Sequence, residues 1–205
     1  MDGTRRSFLA ATAVAGASIG TTGCLGDDES SEPAELPEPP EPPVAGNPDA
    51  DVTVTVYEDF ACDACRQFKF QMLPYLQENY VGPGLIRLEQ RDYPLPVDET
   101  WSWAVACGAR AVYETEGDQA FWEFSAEIYD HFGDYSYDAI ETVADDLGFD
   151  GGAIREAAQE EEYRDAVEAD HAYGDANGVE ATPTVFVDDE LVEEDLVETI
   201  DAAVE

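Results

Sequence analysis

The sequence predicts an α/β fold that is interrupted by an all-helical insertion. Residues 52–57 alternate in a β-prone pattern, and a helical pattern and a second alternating segment follow them. From about 98–177 the chain is almost free of strand signals. A short hairpin and a last helix come after this block, so the helical segment interrupts a single α/β unit.

The first three elements are predicted to be a strand, a helix and a strand. Residues 52–57 read Val-Thr-Val-Thr-Val-Tyr, which places apolar side chains on one face of a strand. Residues 62–80 carry apolar side chains near helical spacing, and Pro74 predicts a kink or break because proline lacks the backbone N–H. Residues 85–92 alternate again and predict the second strand.

Glycines divide the inserted segment into helices. The predicted helical ranges are 99–116, 118–131, 137–147 and 152–176. Beyond them, residues 184–187 and 191–192 predict a hairpin around Asp188, and residues 194–204 predict a C-terminal helix.

The composition is that of a globular chain with a strongly negative surface. Hydrophobic residues make up 44% of the 205 residues, which is enough to fill a core. Aspartate and glutamate number 48 against 9 lysines and arginines, for a net charge of -39, and they are spread over every segment. We interpret this as adaptation to concentrated salt, where the Debye length falls to about 3 Å at 1 M; the alternative is an acidic patch for a basic partner. The charge also opposes approach to phosphates, so nucleic acid is not an expected partner.

Residues 1–23 are predicted to be a signal peptide. Arg5 and Arg6 lie in Thr-Arg-Arg-Ser-Phe-Leu before a short apolar run, an order that resembles the twin-arginine export signal. The run is too short for a spanning helix of about 20 residues. It ends at Gly23 and Cys24 in a sequence that resembles a lipoprotein processing box, which implies that Cys24 carries the lipid. The alternatives are a signal cleaved elsewhere and a retained signal with Cys24 as an unmodified thiol.

Residues 24–50 are predicted to be a tether between the lipid anchor and the folded domain. They are rich in proline and glutamate, with Glu-Pro-Pro-Glu-Pro-Pro at 38–43. A polyproline segment rises about 3.1 Å per residue and stays solvated, so it makes a semi-rigid spacer. The folded domain is therefore expected to begin near Asp51 and to extend to residue 205, on the outer face of the cell membrane.

Cys62 and Cys65 are the candidate catalytic residues. They are two residues apart, directly after a predicted strand and at the first turn of a predicted helix. The free N–H groups and the positive dipole end of a helix lower the pKa of the leading thiol. Cys62 is therefore expected to attack a partner disulfide, and Cys65 to resolve the mixed disulfide.

A pair of cysteines at this spacing could also be half of a zinc site or a structural disulfide. Zinc needs two more ligands, and the remaining candidates are not in paired spacing. They are Cys107, His131 and His171. We therefore expect no metal and no cofactor.

Three segments resemble the DsbA-like thioredoxin-fold oxidoreductases, in the same order along the chain. Residues 56–68 are similar to the active-site segment, residues 103–122 to the first part of the helical insertion, and residues 178–187 to the segment around a cis-proline. The resemblance covers nearly all of residues 51–205. It implies a thioredoxin-like fold with an inserted helical domain at about 98–177.

The resemblance also implies two substrate-binding residues. Pro183 would be a cis-proline beside the sulfurs, and the backbone of Thr182 would pair with an extended substrate segment. The chain departs from the family at Asp63, where proline is frequent, and at Ala64, where strong oxidants have a basic residue. We therefore expect the pKa of Cys62 in the upper part of the range from about 3.5 to about 7.

Several other residues have structural interpretations. Cys107 is expected to pack in the core, His131 and His171 to be solvated or hydrogen-bonded, and Glu58 to be a solvated acid at the strand end, with a proton relay to Cys65 as its alternative. The aromatic residues expected in the core rather than in a substrate groove are Trp101, Trp103, Phe121 and Trp122.

The predicted function is an exported thiol-disulfide oxidoreductase that forms disulfides in exported proteins. Its expected partners are thiol- or disulfide-bearing exported proteins and a membrane redox partner. Two alternatives remain: a reductase or isomerase of the same fold, and a non-catalytic lipoprotein that binds extended peptides.

Overall fold

The structure is a computed structural model that describes residues 39–205. The predicted signal peptide at 1–23, the predicted lipid attachment at Cys24 and most of the predicted tether lie outside the described residues. Within the described part, no helix combines the length and the apolar character that crossing a membrane requires.

The described residues form a five-stranded mixed sheet in the order β1-β3-β2-β4-β5. The strands are β1 (Val44–Gly46), β2 (Val52–Glu58), β3 (Ile86–Asp92), β4 (Thr184–Val187) and β5 (Glu190–Leu191). The central pair, β2 and β3, is parallel, and the other neighbours are antiparallel. A parallel pair needs a crossover, and the predicted helix between the two strands supplies it.

The crossover helix widens instead of breaking at Pro74. It consists of α1 (Asp63–Gln67), a π-helical turn (Phe68–Met72), α2 (Leu73–Leu76) and a second π-helical turn (Gln77–Val81). Proline has no N–H for the helical ladder. The first widened turn lies directly before it, with the Leu73 N–H bonded to the Phe68 carbonyl, so the chain continues without a break.

The insertion contains five α-helices in the described chain, one more than predicted. They are α3 (Trp101–Glu116), α4 (Asp118–Ile128), α5 (Tyr137–Asp146), α6 (Gly151–Gln159) and α7 (Arg164–Ala176); α8 (Leu196–Val204) follows the hairpin. The prediction of one helix at 152–176 is wrong. Glu161 adopts a φ of 48°, which a right-handed helix cannot contain, and three successive glutamates weaken the helix there.

Two large hydrophobic cores and one small cluster around Tyr57 and Tyr93 hold the described structure together. One lies between the sheet and the crossover and C-terminal helices, with Val54, Leu76 and Ile200 fully buried. The other fills the helical insertion and contains both Cys65 and Cys107. Because Cys65 belongs to the second core, the active-site segment lies where the two parts of the fold meet. Phe121 is buried in this core and Trp101, Trp103 and Trp122 pack against it, as the core interpretation predicts.

The folded domain begins before Asp51, the residue near which the sequence predicted its start. β1 pairs with β3 at the sheet edge, and the preceding carbonyls accept hydrogen bonds from arginines. The Pro40 carbonyl lies 3.2 Å from Nη1 of Arg91, and the Glu41 carbonyl lies 2.9 Å from Nη1 of Arg110. Proline residues retain their carbonyl acceptors although they lack a donor, so this segment can bind along an edge. A three-residue edge strand leaves almost no sequence pattern.

Candidate active site

Cys62 and Cys65 lie at the junction of β2 and α1. Cys62 is the N-terminal cap of the helix, with extended backbone angles, and its carbonyl accepts the Arg66 N–H at 3.1 Å. Cys62 is half-buried and Cys65, one turn further, is fully buried. Both are free thiols, so the structure represents the dithiol state.

The environment of Cys62 favours its thiolate. The pKa of Cys62 is lowered to about 5, first by the hydrogen bond from Cys65 and then by the side chain of Thr182 and the backbone N–H groups of Cys65 and Ala64, against the effect of burial. This value lies below the upper part of the expected range. The Asp63 carboxylate lies on the exposed side of the helix and accepts a hydrogen bond from Gln67 Nε2 at 2.6 Å. The close donors around Cys62 lower its pKa despite this neighbouring negative charge.

Cys65 is held as a neutral thiol. Burial raises its pKa far above the ordinary value, and its hydrogen bond to Cys62 and the negative charge of Glu58 raise it further. Its sulfur accepts the Asp59 N–H at 3.5 Å. The two thiols therefore differ strongly in acidity, which is the asymmetry that thiol-disulfide exchange uses.

Glu58 is buried beneath the cysteines, so the prediction of a solvated acid is wrong. Its Oε2 lies 2.9 Å from Lys69 Nζ, which also donates to Gln90 Oε1 at 2.8 Å. Nζ lies 5.2 Å from the ring centroid of Trp122 and 5.7 Å from that of Tyr129. Burial raises the pKa of Glu58 although Lys69 opposes it. The sequence signal that could have found this pair is that Lys69 is the only lysine in the chain.

Asp59 is a second buried acid that the sequence analysis missed. Its Oδ1 accepts the Ala61 N–H at 2.8 Å, and its Oδ2 accepts the Leu95 N–H at 2.8 Å and the Ser102 hydroxyl at 3.0 Å. Burial raises its pKa, and these donors lower it in part. Asp59 thus ties the loop before Cys62 to the beginning of the helical insertion.

Thr182 and Pro183 lie against the active site. Their peptide bond is cis, as the family resemblance implies. The Cys62 thiol donates to the Thr182 carbonyl oxygen at 3.4 Å, and Thr182 is buried. The segment before β4 therefore covers one side of the reactive sulfur.

The remaining candidates serve packing and local contacts. Cys107 is a fully buried member of the helical core, as predicted. His171 stacks on Tyr93 with a centroid distance of 4.2 Å, and His131 is half-buried in the turn after α4. In the described range 39–205, no group of three or more histidine, cysteine, aspartate or glutamate side chains could hold a metal ion.

A parallel β–α–β unit with a reactive thiol at the helix start, a buried second thiol and an adjacent cis-proline is the arrangement of a protein thiol-disulfide oxidoreductase. Residues 38–205 match the model of a family described as thioredoxin. The chain belongs to that thioredoxin family.

Two relatives and two solved structures confirm the DsbA-like resemblance. "Probable disulfide bond formation protein D" of Bacillus cereus is 27% identical, over 73% of this chain and 71% of its own, and disulfide bond formation protein D of Bacillus subtilis is 23% identical, over 73% and 68%. Oxidised BdbD from Bacillus subtilis superposes with a TM-score of 0.73 at 22% identity, covering 80% of this chain and 92% of its own. DsbA from Chlamydia trachomatis gives a TM-score of 0.67 at 20% identity, covering 79% and 89%. The predicted thioredoxin-like fold with an inserted helical domain is confirmed.

Proposed function

We propose that this oxidoreductase forms disulfide bonds in exported proteins, with Cys62 as the nucleophile and Cys65 as the resolving cysteine. The observation that carries the proposal is the low pKa of Cys62, about 5, beside a buried neutral thiol. A stabilised thiolate favours the reduced enzyme, and this makes the enzyme disulfide an oxidant. The names of the curated relatives point in the same direction.

Cys62 is the nucleophile and Cys65 the resolving cysteine when the dithiol attacks a substrate disulfide, and disulfide formation in a substrate is the reverse of this exchange. It proceeds in two steps that conserve atoms and electrons. A substrate thiolate attacks the Cys62 sulfur of the Cys62–Cys65 disulfide, and Cys65 leaves and takes up a proton. A second substrate thiolate then attacks the substrate sulfur of the mixed disulfide and releases Cys62 as a thiolate. The substrate loses two electrons and the enzyme dithiol gains them.

Thr182 and Pro183 are proposed to bind the substrate beside the sulfurs. Thr182 faces Cys62, with the Cys62 sulfur 3.4 Å from the Thr182 carbonyl oxygen. An extended substrate segment would pair with this backbone as an added strand. Pairing through main-chain hydrogen bonds depends little on the sequence of the substrate. Such binding fits an enzyme with many substrates.

The site of action is proposed to be the outer face of the cell membrane. The twin-arginine signal would export the chain, and a lipid on Cys24 would anchor it. A membrane redox partner would reoxidise the dithiol. The net charge of -39 supports a working environment of concentrated salt.

The reduction potential of the Cys62–Cys65 pair, measured in molar salt against glutathione buffers, tests the direction of the reaction. A value near or above about -180 mV would support a disulfide donor, whereas a value near -270 mV would identify a thioredoxin-like reductant. A pair that cannot be cycled in the native state would favour the non-catalytic binding lipoprotein.

Two single variants test the roles of the cysteines. Cys65→Ser cannot form the enzyme disulfide, but its Cys62 thiolate can still attack a substrate disulfide, and no enzyme thiol remains to release the product. Cys65→Ser should therefore accumulate mixed disulfides with substrate proteins, and Cys62→Ser should accumulate none. Full biological activity of Cys62→Ser would exclude the catalytic role. Cys107→Ser is the matched control, because Cys107 is a buried core thiol and should leave exchange unchanged.

A further inference from the structure

Arg66 differs from the other basic side chains of the described residues. Each of the others lies within ion-pair distance of a carboxylate: Lys69, Arg87, Arg91, Arg110, Arg155 and Arg164. Within residues 39–205, Arg66 has no carboxylate within ion-pair distance and no hydrogen-bond partner for its guanidinium. A chain with 48 acids thus leaves one exposed arginine unpaired in its described part.

Arg66 is positioned by aromatic rings next to the reactive cysteine. It lies one helical turn after Cys62, and the two residues share a backbone hydrogen bond of 3.1 Å. Its guanidinium carbon lies 5.4 Å from the ring centroid of Phe70 and 5.6 Å from that of Phe132. We call these three side chains, Arg66, Phe70 and Phe132, the Arg66 surface.

Within residues 39–205, the contacts of the Arg66 guanidinium are with aromatic rings, and its N–H groups have no hydrogen-bond acceptor. Aromatic rings interact with a guanidinium through its flat faces, and five N–H donors point outward in its plane. This fork matches a carboxylate, which it can bind with two parallel hydrogen bonds. Phe70 is 46% exposed and offers apolar contact beside that fork.

The nearest acid in sequence does not neutralise this cation. The Asp63 carboxylate is bonded to Gln67 Nε2 at 2.6 Å. Glu58 and Asp59 are buried: Oε2 of Glu58 pairs with Lys69, and Asp59 accepts hydrogen bonds from backbone N–H groups and from Ser102. The positive charge beside Cys62 therefore faces solvent on an otherwise acidic protein.

We propose that the Arg66 surface recognises acidic polypeptide substrates, by pairing Arg66 with a carboxylate next to the reacting cysteine. This inference rests on the proposed function and names the substrate class of the same site. The exchange chemistry is unchanged, because Arg66 binds the substrate and takes no part in electron transfer. Charge complementarity selects the occupant: an unpaired arginine fork is the feature that an acidic segment fits and a basic one does not.

Peptide kinetics test this with the full chain. Two single-cysteine peptides would be compared, one with glutamates and one with glutamines beside the cysteine, in their reaction with the oxidised protein at one fixed salt concentration. Arg66→Gln should slow the glutamate peptide roughly twofold to fivefold more than the glutamine peptide. Comparing the ratio across variants removes the effect of the glutamates on the thiol of the peptide itself.

Three controls separate the outcomes. Arg155→Gln removes a half-buried arginine of α6 that pairs with Asp138 and Glu141 on α5, and it should leave the peptide ratio unchanged. Arg66→Lys should restore part of the discrimination, since it keeps the charge without the fork. The uncharged thiol 2-mercaptoethanol reports the basal exchange rate.

The inference would be overturned if Arg66→Gln slowed both peptides equally. It would also be overturned if Arg155→Gln changed the ratio of the two peptide rates as much as Arg66→Gln does. If the unaltered protein reacts with 2-mercaptoethanol and with both peptides, such a result leaves the proposed function intact. If it reacts with none of the three, the proposed function itself fails, and the inference fails with it.

Discussion

Lys69 lies 2.9 Å from Glu58 in the protein interior, beneath the active-site cysteines, and both side chains are almost fully inaccessible to solvent. The pair joins the crossover helix to the end of β2. Glu58 in turn raises the pKa of Cys65 through its charge. The pair therefore links the stability of the domain to the acidity of the resolving thiol.

Removing the lysine should destabilise the domain strongly. In Lys69→Met, Glu58 loses its counter-charge while it remains buried, and breaking one side of a buried ion pair costs about 3–5 kcal/mol. The free energy of unfolding by denaturant at neutral pH measures this.

The double variant Glu58→Gln, Lys69→Met is the control for the buried pair. It should lose less stability than Lys69→Met alone, because no unpaired charge remains inside. Additive losses would mean that the two side chains do not act as a pair.

Cys65 is expected to control the acidity of Cys62. Its hydrogen bond is the largest cause of the low Cys62 pKa, so Cys65→Ala should raise that pKa from about 5 toward the ordinary thiol range. Cys65→Ser keeps a hydroxyl donor and should raise it less. The pH dependence of alkylation of Cys62 by iodoacetamide measures both, and identical values in the two variants would contradict the role of this hydrogen bond.

The reduced protein should lose stability relative to the oxidised protein as pH falls. The folded-state pKa of Cys62 is depressed from 9.0 to about 5, so the thiolate contributes stability that is complete above about 9 and is lost as pH falls to about 5. Unfolding midpoints of both redox forms between pH 4 and about 9 measure the difference. A reduced form that keeps or gains stability relative to the oxidised form as pH falls from about 9 to about 5 would refute the assignment.

Asp92 should affect the pH dependence of stability in the opposite direction to Cys62. Burial raises its pKa to about 7, and Asp170 adds to this while Arg110 opposes it. The native carboxyl therefore holds a proton that the unfolded chain has released, so stability falls as pH rises from about 4 to about 7.

Asp92→Asn should flatten this part of the stability profile and stabilise the protein above pH 7, by up to a few kcal/mol. Glu78→Gln, at an exposed position, should leave the profile unchanged. Denaturant unfolding across this pH range measures both. An unaltered slope in Asp92→Asn would show that Asp92 is already ionised in the native protein.

The segment before Asp51 is predicted to stabilise the catalytic domain. A chain shortened to residues 51–205 loses β1 and the carbonyls that accept hydrogen bonds from Arg91 and Arg110. Hydrogen bonds to charged groups contribute about 1.5–3 kcal/mol each, so the loss should be several kcal/mol. A chain of residues 39–205 is the matched control for the thermal midpoint, and equal midpoints would show that this segment contributes nothing.

Elements with strong local patterns were predicted closely. The alternation at 52–57 and 85–92 became β2 and β3, and three of the predicted insertion helices agree with the structure to within a few residues. The errors fall where local pattern is weak. The helix break at Glu161 has no nearby glycine or proline to signal it, and the edge strand β1 depends on pairing with β3, a distant segment.

The sequence by itself determined the position of the reactive cysteines. Two thiols at the start of a helix and after a strand form a motif that is complete within a few residues, and its chemistry follows from backbone N–H groups of the same turn. The tertiary structure alone decided what surrounds them. The partner of Glu58 is eleven residues away, and Thr182 is 120 residues from Cys62. Burial and contacts with such distant residues modify the pKa values of both thiols, and these effects arise only when the chain has folded.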